Sequence, residues 1–229
     1  MRTLYFFSGF DREGGFPADI GESLARDIIN RKSLVFIATD PTGHEKTDSY
    51  AKVMVRWFSA SGIEFEAVNV LDDRTDAAEC EKLVKNASAV FLMGGRTLLQ
   101  MQFITQNKLD AALREFDGVV MGLSAGAINM ANFSFLAPYD GSPIMFKGVS
   151  IADLPAIAYS GIGLADISVM PHYDEGDKDF REGALMPFSD KIDIYAMCDG
   201  SAIMACGEKI NYFGKICLIS RRKITWISQ

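Results

Sequence analysis

The sequence is poor in proline, cysteine and histidine, with 7, 4 and 2 of them among 229 residues. None of the cysteines forms a C-x-x-C pair, and three of them lie in the last third of the chain. A disulfide framework is therefore not expected, and the cysteines are predicted to be reduced thiols in a cytoplasmic protein. They are Cys80, Cys198, Cys206 and Cys217.

Long apolar runs are also missing. No stretch reaches 18 uninterrupted apolar residues, so no membrane span is expected. The run at 1–7 is short and is followed at once by polar residues, which does not fit a secretory signal. Lys and Arg number 23 against 30 Asp and Glu, for a net charge of −7. Such an acidic surface argues against nucleic acid or an anionic membrane as the main partner.

The composition is that of an ordinary globular protein, with 48% hydrophobic and 23% charged residues. It excludes disordered, collagen-like and coiled-coil chains. At about 150 residues per domain, the length favours one domain over two. The chain shows no linker, internal repeat or low-complexity segment, so residues 1–229 are expected to form a single domain.

Short apolar strands alternate with amphipathic helices through the first two thirds of the chain. Such repetition implies right-handed crossovers and a parallel sheet with helices on both faces. Ligands bind beyond the carboxyl ends of the strands in these sheets, so chemistry is expected in the loops that follow them. The predicted strands are Thr3–Ser8, Ser33–Thr39, Ile63–Val70, Ala89–Met93 and Gly118–Leu123, and the helices are Ala18–Arg31, Asp48–Ser61, Asp76–Asn86, Thr97–Gln106 and Lys108–Phe116.

The last third changes character: it is loop-rich after about Asn132 and consists of short strands from Ile192 onward. Gly207-Glu208 and Gly214-Lys215 suit tight hairpin turns between these strands. The expected fold class is therefore α/β, a three-layer sandwich with a mainly parallel sheet, extended at one edge by antiparallel strands near the C-terminus. Those strands are Ile192–Met197, Ala202–Cys206, Lys209–Phe213, Ile216–Ser220 and Ile224–Ile227.

The strongest local signal is the G-x-S-x-G motif Gly122-Leu123-Ser124-Ala125-Gly126. It follows an apolar strand and precedes a helical stretch at Ala127–Ala131, which is the context of a nucleophile elbow. Such a turn holds the serine in a crowded backbone conformation, so small residues must flank it. The hydroxyl of Ser124 would then project above the edge of the sheet as a nucleophile.

Gly94-Gly95 follows the preceding strand, and glycine there lets a ligand approach the backbone closely. The N–H of Gly95 and that of Ala125 could together bind the oxyanion of a tetrahedral intermediate. A simple turn at the end of the strand is the alternative. A phosphate-binding loop is not expected, because the first strand is followed by neither G-x-x-x-x-G-K-[ST] nor G-x-G-x-x-G.

A serine nucleophile needs a general base, and the chain offers two histidines. His44 lies in a polar loop that opens a helix, where a solvated side chain is expected. His172 follows an apolar strand broken by Pro171, and a titratable residue at a strand end is well placed to act as a base. We therefore expect His172 to be the base.

A third residue must accept a hydrogen bond from the imidazole and fix its tautomer. Asp199 is a candidate because it follows a predicted strand. Asp174 and Glu175 are so near His172 in sequence that they are expected to face solvent. Asp140 suits a turn. Asp166 is a further candidate, and these residues alone leave the choice open.

Four segments occur in a fixed order along the chain and resemble the aspartyl dipeptidase (peptidase E) and cyanophycinase family of serine peptidases. That family has a fold similar to class I glutamine amidotransferases. The resemblance runs from the first strand to about Ile203, and the elbow and the Pro-His pair are its most specific parts. The segments are Met93-Gly94-Gly95-Arg96-Thr97, Gly122-Leu123-Ser124-Ala125-Gly126-Ala127, Met170-Pro171-His172-Tyr173 and Asp199-Gly200-Ser201-Ala202-Ile203.

The resemblance implies that Ser124 is the nucleophile and His172 the base. The third member in the family is commonly Glu, and Asp199 stands at its position here. The family also implicates an acidic residue between the serine and the histidine, and Asp140 is the nearest match. The N–H groups of Gly95 and of the residue after the nucleophile, Ala125, match the oxyanion hole.

Gly94 and Arg96 are expected to bind the substrate, and Arg96, directly after Gly94-Gly95, stands where the family usually has Asn. The resemblance further implies hydrolysis of short peptides by two-step acyl transfer, with a preference for acidic or aspartyl-linked residues. Recognition of a carboxylate needs Arg or Lys nearby, for which Arg96 is the best candidate by position, ahead of Arg74 and Arg181. No metal or cofactor is expected, the partner is a small peptide, and the chain is expected to be a monomer or a homodimer.

Three alternatives stay open. A glutamine amidotransferase would need a cysteine where Ser124 stands. A non-catalytic member could use the same pocket to bind a small ligand or peptide, since fold does not fix function. An α/β-hydrolase esterase has the chain order Ser, Asp, His, which Asp140 would allow. Gly94-Gly95 and the β-rich tail argue against the esterase.

Overall fold

The computed structural model describes residues 2–136 and 157–229. The strands are β1 (Thr3–Phe7), β2 (Ser33–Ile37), β3 (Ala67–Leu71), β4 (Ala89–Leu92), β5 (Val119–Leu123), β6 (Phe133–Leu136), β7 (Ile157–Ser160), β8 (Ser168–Met170), β9 (Ile194–Met197), β10 (Ala202–Cys206), β11 (Lys209–Phe213), β12 (Ile216–Ser220) and β13 (Lys223–Ser228). The helices are α1 (Ala18–Asp27), α2 (His44–Ala60), α3 (Ala77–Lys85), α4 (Thr97–Gln106), α5 (Leu109–Glu115), α6 (Ala125–Met130), α7 (Lys178–Phe180) and α8 (Met186–Phe188), with a π-helical turn at Arg181–Leu185.

A large, mostly parallel central sheet organises the fold, as predicted. Its strand order is β11-β10-β1-β5-β4-β2-β3. The strands β1 to β5 run parallel, β10 pairs antiparallel with β1, and β11 pairs antiparallel with β10. The carboxyl ends of β1, β4 and β5 therefore lie side by side at one edge, where the loops after them meet.

Helices cover both faces of the central sheet, because successive side chains of each strand point to opposite faces. In β1, Phe6 packs into a core with α3, α4, α5 and α6. Its neighbours Tyr5 and Phe7 pack into a second core with α1 and α2. Strands buried on both faces read as continuous apolar runs, which explains why their positions could be predicted.

The strands of the tail divide between two sheets, which corrects the expectation of one antiparallel extension. The strands β10 and β11 extend the central sheet, whereas β9, β12 and β13 form a second sheet with β8. Within that second sheet β8 runs parallel to β9. A further pair, β6 and β7, lies in the region predicted to be loop-rich. Alternation of apolar residues identifies a buried face and not a pairing partner, so it could not separate the two sheets.

One of the two predicted hairpin turns is confirmed and the other is wrong. Gly207-Glu208 joins β10 to β11, with Gly207 at φ +60°. Gly214-Lys215 instead links β11 in the central sheet to β12 in the second sheet. The other hairpin, between β12 and β13, turns at Arg221 and Arg222, with φ +48° and +60°. Arginine is not a residue that signals such a turn.

The predicted strands and helices of the first two thirds are present with shifted ends. The helix α2 begins at His44 rather than Asp48, and β3 begins at Ala67 rather than Ile63. The helical segment 178–188 was not predicted. The four cysteines are free thiols, as predicted. Within residues 2–136 and 157–229, no helix is both long and apolar enough to cross a membrane.

Candidate active site

Ser124 occupies a sharp turn between β5 and α6. Its backbone has φ +50° and ψ −106°, which is unusual for a residue with a side chain. A Cβ at Gly122 would lie 2.6 Å from the N of Ala127, and one at Gly126 would collide with the carbonyl oxygen of Leu92. Both glycines of the motif are therefore required by close packing, and the turn has the strand–turn–helix form of a nucleophile elbow.

The side chains of Ser124 and His172 are in contact, although 48 residues separate them. The Nε2 atom of His172 lies 2.8 Å from the Oγ atom of Ser124. His172 follows β8 and Pro171, and its own φ is +57°. The nucleophile candidate thus comes from the central sheet and the base candidate from the second sheet.

Asp199 lies on the far side of the imidazole, in the loop between β9 and β10. Its Oδ1 atom is 2.7 Å from Nδ1 of His172. The hydrogen bond from His172, with a smaller contribution from Ser8, holds the pKa of Asp199 below its usual value despite partial burial. The carboxylate therefore accepts only, so Nδ1 of the imidazole carries the proton and Nε2 of the neutral ring can accept one from Ser124.

The loop Gly94-Gly95 follows β4 and lies beside the elbow. A Cβ at Gly94 would be 3.3 Å from the carbonyl oxygen of Leu123, the residue before Ser124. Gly95 has φ +139°, and a Cβ there would be 2.5 Å from the hydroxyl of Thr39. That hydroxyl donates a hydrogen bond of 2.8 Å to the carbonyl of Gly94. The first N–H groups of a helix lack intrahelical acceptors, and that of Ala125 opens α6.

A family match covers most of the chain and includes Ser124, His172 and Asp199. Residues 15–213 match the model of Peptidase family S51. The chain belongs to this family. It is therefore a serine peptidase of the peptidase E type, as the motif order predicted.

Two solved structures share the fold of this S51 peptidase. A peptidase from an acI-B1 Actinobacterium superposes with a TM-score of 0.71 at 15% sequence identity, covering 100% of this chain and 94% of its own. A candidate peptidase E protein from Listeria monocytogenes EGD-e gives 0.64 at 19% identity, covering 93% of this chain and 98% of its own. At these identities the likeness concerns the fold alone.

Arg96 directly follows the glycine loop of the S51 peptidase and is the last residue before α4. Its side chain is 55% exposed, and its guanidinium lies 3.9 Å from a carboxylate oxygen of Asp40, a loose ion pair. Arg74, by contrast, is tied to Asp48 and Asp72 by several charged hydrogen bonds. Arg181 donates to the carbonyl of Glu175. Of the three arginines considered from the sequence, Arg96 is the one held most weakly.

Other candidates lie apart from the Ser124–His172–Asp199 line. Asp174 and Glu175 are exposed, as predicted. His44 opens α2 and pairs with Asp73 rather than with the elbow. Asp140 lies outside the described residues. Asp166 is exposed and lies before β8, and it is Asp199 that contacts the imidazole.

One group of potential metal ligands is found among the described residues of the S51 peptidase. His44, Asp72 and Asp73 offer ligand atoms within 4.8 Å of one another. The buried carboxylate of Asp72 already accepts charged hydrogen bonds from Arg74, at 3.0 Å from its Nε atom. The guanidinium of Arg74 thus supplies the positive charge that the buried carboxylate of Asp72 requires.

Two residues that directly follow β1 contact the candidate site but belong to none of the sequence motifs. Ser8 is fully buried, and its hydroxyl contacts both the backbone of His172 and the carboxylate of Asp199. Gly9 leaves room for the same pair, since a Cβ would be 2.5 Å from Oδ1 of Asp199 and 2.7 Å from Cε1 of His172. The sequence feature that could have identified them is their position after β1, because the loops after the parallel strands are expected to carry the chemistry.

Proposed function

We propose that this serine peptidase hydrolyses short peptides through an acyl-enzyme on Ser124. His172 removes the proton from Oγ as that oxygen attacks the scissile carbonyl, and Asp199 stabilises the imidazolium that forms. The N–H groups of Gly95 and Ala125 bind the oxyanion. The imidazolium then protonates the departing amine, and water, deprotonated by His172, releases the acyl group and restores the serine.

The observation that carries this proposal is the unbroken line of hydrogen-bonding distances through the imidazole. Nε2 lies 2.8 Å from the hydroxyl of Ser124 and Nδ1 lies 2.7 Å from the carboxylate of Asp199. A serine hydroxyl is a weak nucleophile unless a base lies within reach, and the base needs a partner that fixes its tautomer. Both requirements are met by these three side chains.

We further propose that the preferred peptides carry an N-terminal aspartyl residue, whose carboxylate binds Arg96. Arg96 follows the glycine loop that supplies the oxyanion donor, so its guanidinium can reach a substrate side chain near the scissile bond. Its ion pair with Asp40 is long, at 3.9 Å, and exposed, and such pairs are weak. A substrate carboxylate in a bidentate contact would therefore displace Asp40 at little cost.

The proposal is tested by labelling with a fluorophosphonate and by a panel of dipeptides that differ in the N-terminal residue. Wild type should label and should cleave aspartyl dipeptides fastest. Ser124→Ala and His172→Ala should lose labelling, and Ser124→Ala should lose turnover by more than the roughly 10²–10³-fold effect of one oxyanion donor. Ser59→Ala is the matched control, because Ser59 is equally half-exposed but lies on α2.

Two results would contradict the proposal. Full activity in purified Ser124→Ala would exclude the acyl-enzyme. Folded wild type that binds peptides without Ser124-dependent labelling or cleavage would favour the non-catalytic alternative.

A further inference from the structure

The end of β1 joins the three side chains of the candidate site. The N–H of Ser124 donates to the carbonyl of Phe7, at 2.9 Å. The next residue, Ser8, has its backbone N–H bound to the carbonyl of Ser201 at 3.2 Å. Its hydroxyl points toward Asp199, which is also the hydrogen-bond partner of the imidazole. The end of β1 therefore contacts the elbow of the central sheet through Phe7, and the loops of His172 and Asp199 through Ser8.

The hydroxyl of Ser8 has three neighbours within hydrogen-bonding distance. The backbone N–H of His172 donates to it at 2.8 Å. The carbonyl of Met197 and the Oδ1 atom of Asp199 each lie 3.0 Å away. A hydroxyl has one proton to donate, and a charged acceptor binds it more strongly than a neutral one. The proton of Ser8 is therefore directed to Asp199, while its lone pair holds the backbone of His172.

This arrangement matters because neither side chain is fixed by burial. The side chains of His172 and Asp199 are 45% and 63% exposed. An exposed carboxylate changes rotamer freely unless something holds it. Asp199 Oδ1 is shared between the hydroxyl of Ser8 and Nδ1 of His172, so the two contacts select one rotamer.

The backbone of His172 also needs support. Its φ of +57° lies in the left-handed region, which a residue with a side chain occupies only when its surroundings hold it there. Ser8 binds its N–H, and the following N–H, of Tyr173, donates to Met197 at 2.9 Å. Gly9 admits the imidazole and the carboxylate to this position, because it has no side chain to collide with them.

We propose that Ser8 is a positioning residue for the peptidase reaction, whose buried hydroxyl sets the orientation of both His172 and Asp199. The proposal rests on the proposed function of Ser124, His172 and Asp199. It assigns Ser8 no contact with the substrate. Loss of the hydroxyl should therefore weaken the chemical step and leave substrate binding unchanged.

The test compares Ser8→Ala with Ser8→Cys, which keeps the size of the side chain and a weak donor. Ser8→Ala should lower kcat by about 10- to 100-fold, the effect of one hydrogen bond to a charged group, with KM unchanged. Ser8→Cys should fall between Ser8→Ala and wild type. Ser23→Ala is the matched control, since Ser23 is also buried but bonds to Tyr5 on α1's side of the sheet.

A spectroscopic readout separates positioning from a general loss of stability. The proton shared by Nδ1 of His172 and Asp199 should give a far-downfield proton resonance in wild type and in Ser23→Ala. In Ser8→Ala this resonance should weaken or shift. Folded Ser8→Ala with unchanged kcat and unchanged resonance would overturn the proposal, as would an equal loss in Ser23→Ala.

The same readout keeps this proposal distinguishable from the proposed function. If wild type neither labels nor cleaves peptides, the proposed function fails, yet the resonance still reports whether Ser8 orients the His172–Asp199 pair. If Ser8→Ala does not fold, Ser8→Cys decides. Wild-type kcat and resonance in folded Ser8→Cys, with a thiol too weak to replace the hydroxyl, would then overturn the positioning role.

Discussion

At the residue scale, the structure shows how Asp199, the proposed partner of His172, reaches the imidazole although the resemblance implies the longer glutamate at this position. Asp is one methylene shorter, so its backbone must lie closer to the imidazole. Gly9 permits this approach, because a Cβ there would be 2.5 Å from Oδ1 of Asp199. Gly200, at φ +84°, follows Asp199, and its N–H donates to the carbonyl of Gly9 at 2.7 Å. The loop of Asp199 is thus drawn against the end of β1.

Replacement of Asp199 by Asn should lower kcat by on the order of 10³–10⁴-fold, because an amide can donate to Nδ1 and favour the wrong tautomer of His172. Steady-state kinetics on an aspartyl dipeptide measures the effect. Asp174→Asn is the control, since Asp174 is an exposed carboxylate two residues from His172. Of the two candidate acids, Asp140 should be the less important, so Asp140→Asn should lower kcat less than Asp199→Asn does. A larger loss in Asp140→Asn would assign the orienting role to Asp140.

The lowered pKa of Asp199 makes a second prediction, on stability against pH. Its hydrogen bond from His172 favours the ionised form in the folded state. Such a group contributes stability above its unfolded pKa, about 3.9, and the contribution is lost as pH falls through the lower folded value. The difference in unfolding free energy between wild type and Asp199→Asn should therefore persist at about pH 5 and shrink below about pH 4. Urea unfolding at the two pH values checks this. A difference that grows on acidification would contradict the prediction.

Residues with a local signature could be predicted from the sequence, and residues that act through distant contacts could not. Ser124 lies in a motif whose glycines are needed by the turn itself. His172 could be predicted because the chain has only two histidines and this one follows an apolar strand broken by Pro171. Ser8 contacts His172, which lies 164 positions further along the chain. Nothing in the local sequence of Ser8 distinguishes a buried serine with several hydrogen bonds from an ordinary residue at the end of a strand.

At the scale of elements, strand identity followed from apolar patterning, whereas strand pairing did not. The parallel strands β1, β2, β4 and β5 are buried on both faces, so their apolar runs are unambiguous, whereas β3 at the sheet edge is largely exposed. The tail strands have similar patterns, but β10 joins β1 while β9 joins β8. The helical segment 178–188 could not be predicted because Gly183 and Pro187 are poor helix formers and a π-helical turn interrupts the regular helical repeat.

The β12–β13 hairpin provides a prediction at this scale. Arg221 and Arg222 both have positive φ, a conformation that Asn and Gly adopt at lower cost. Arg221→Asn should raise the free energy of unfolding by about 0.5–1 kcal/mol, as part of the left-handed strain is relieved. Thermal unfolding measures the change. Lys223→Asn, at the adjacent strand position without positive φ, should give no gain, and a stability loss in Arg221→Asn would contradict the explanation.

At the scale of the whole molecule, the candidate site lies where two sheets meet. The central sheet supplies Ser124 and the glycine loop, and the second sheet supplies His172 through β8. The end of β1 touches both. Because the proposed nucleophile and the proposed base belong to different sheets, their 2.8 Å contact depends on how the two sheets pack, and not on either sheet alone.

The net charge of −7 opposes the approach of an acidic substrate, so such a substrate needs a positively charged group at the site. The field of the molecule repels an anionic peptide at low ionic strength, and salt screens that repulsion beyond about 10 Å at 0.1 M. Arg96 provides attraction at close range, offset in part by Asp40 at 3.9 Å. The two effects oppose each other in wild type, so its kcat/KM for aspartyl peptides should depend little on salt.

Arg96→Gln should remove the attraction and leave the repulsion. We expect kcat/KM for an aspartyl dipeptide to fall by about tenfold at low salt, the effect of one charged hydrogen bond, and to recover in part as salt is added. Asp40→Asn should act in the opposite direction, because it releases Arg96 from its ion pair and removes a negative charge. A dipeptide with an N-terminal leucine should be cleaved equally by all three proteins. An equal loss for both dipeptides in Arg96→Gln would mean that Arg96 supports the start of α4 rather than the substrate.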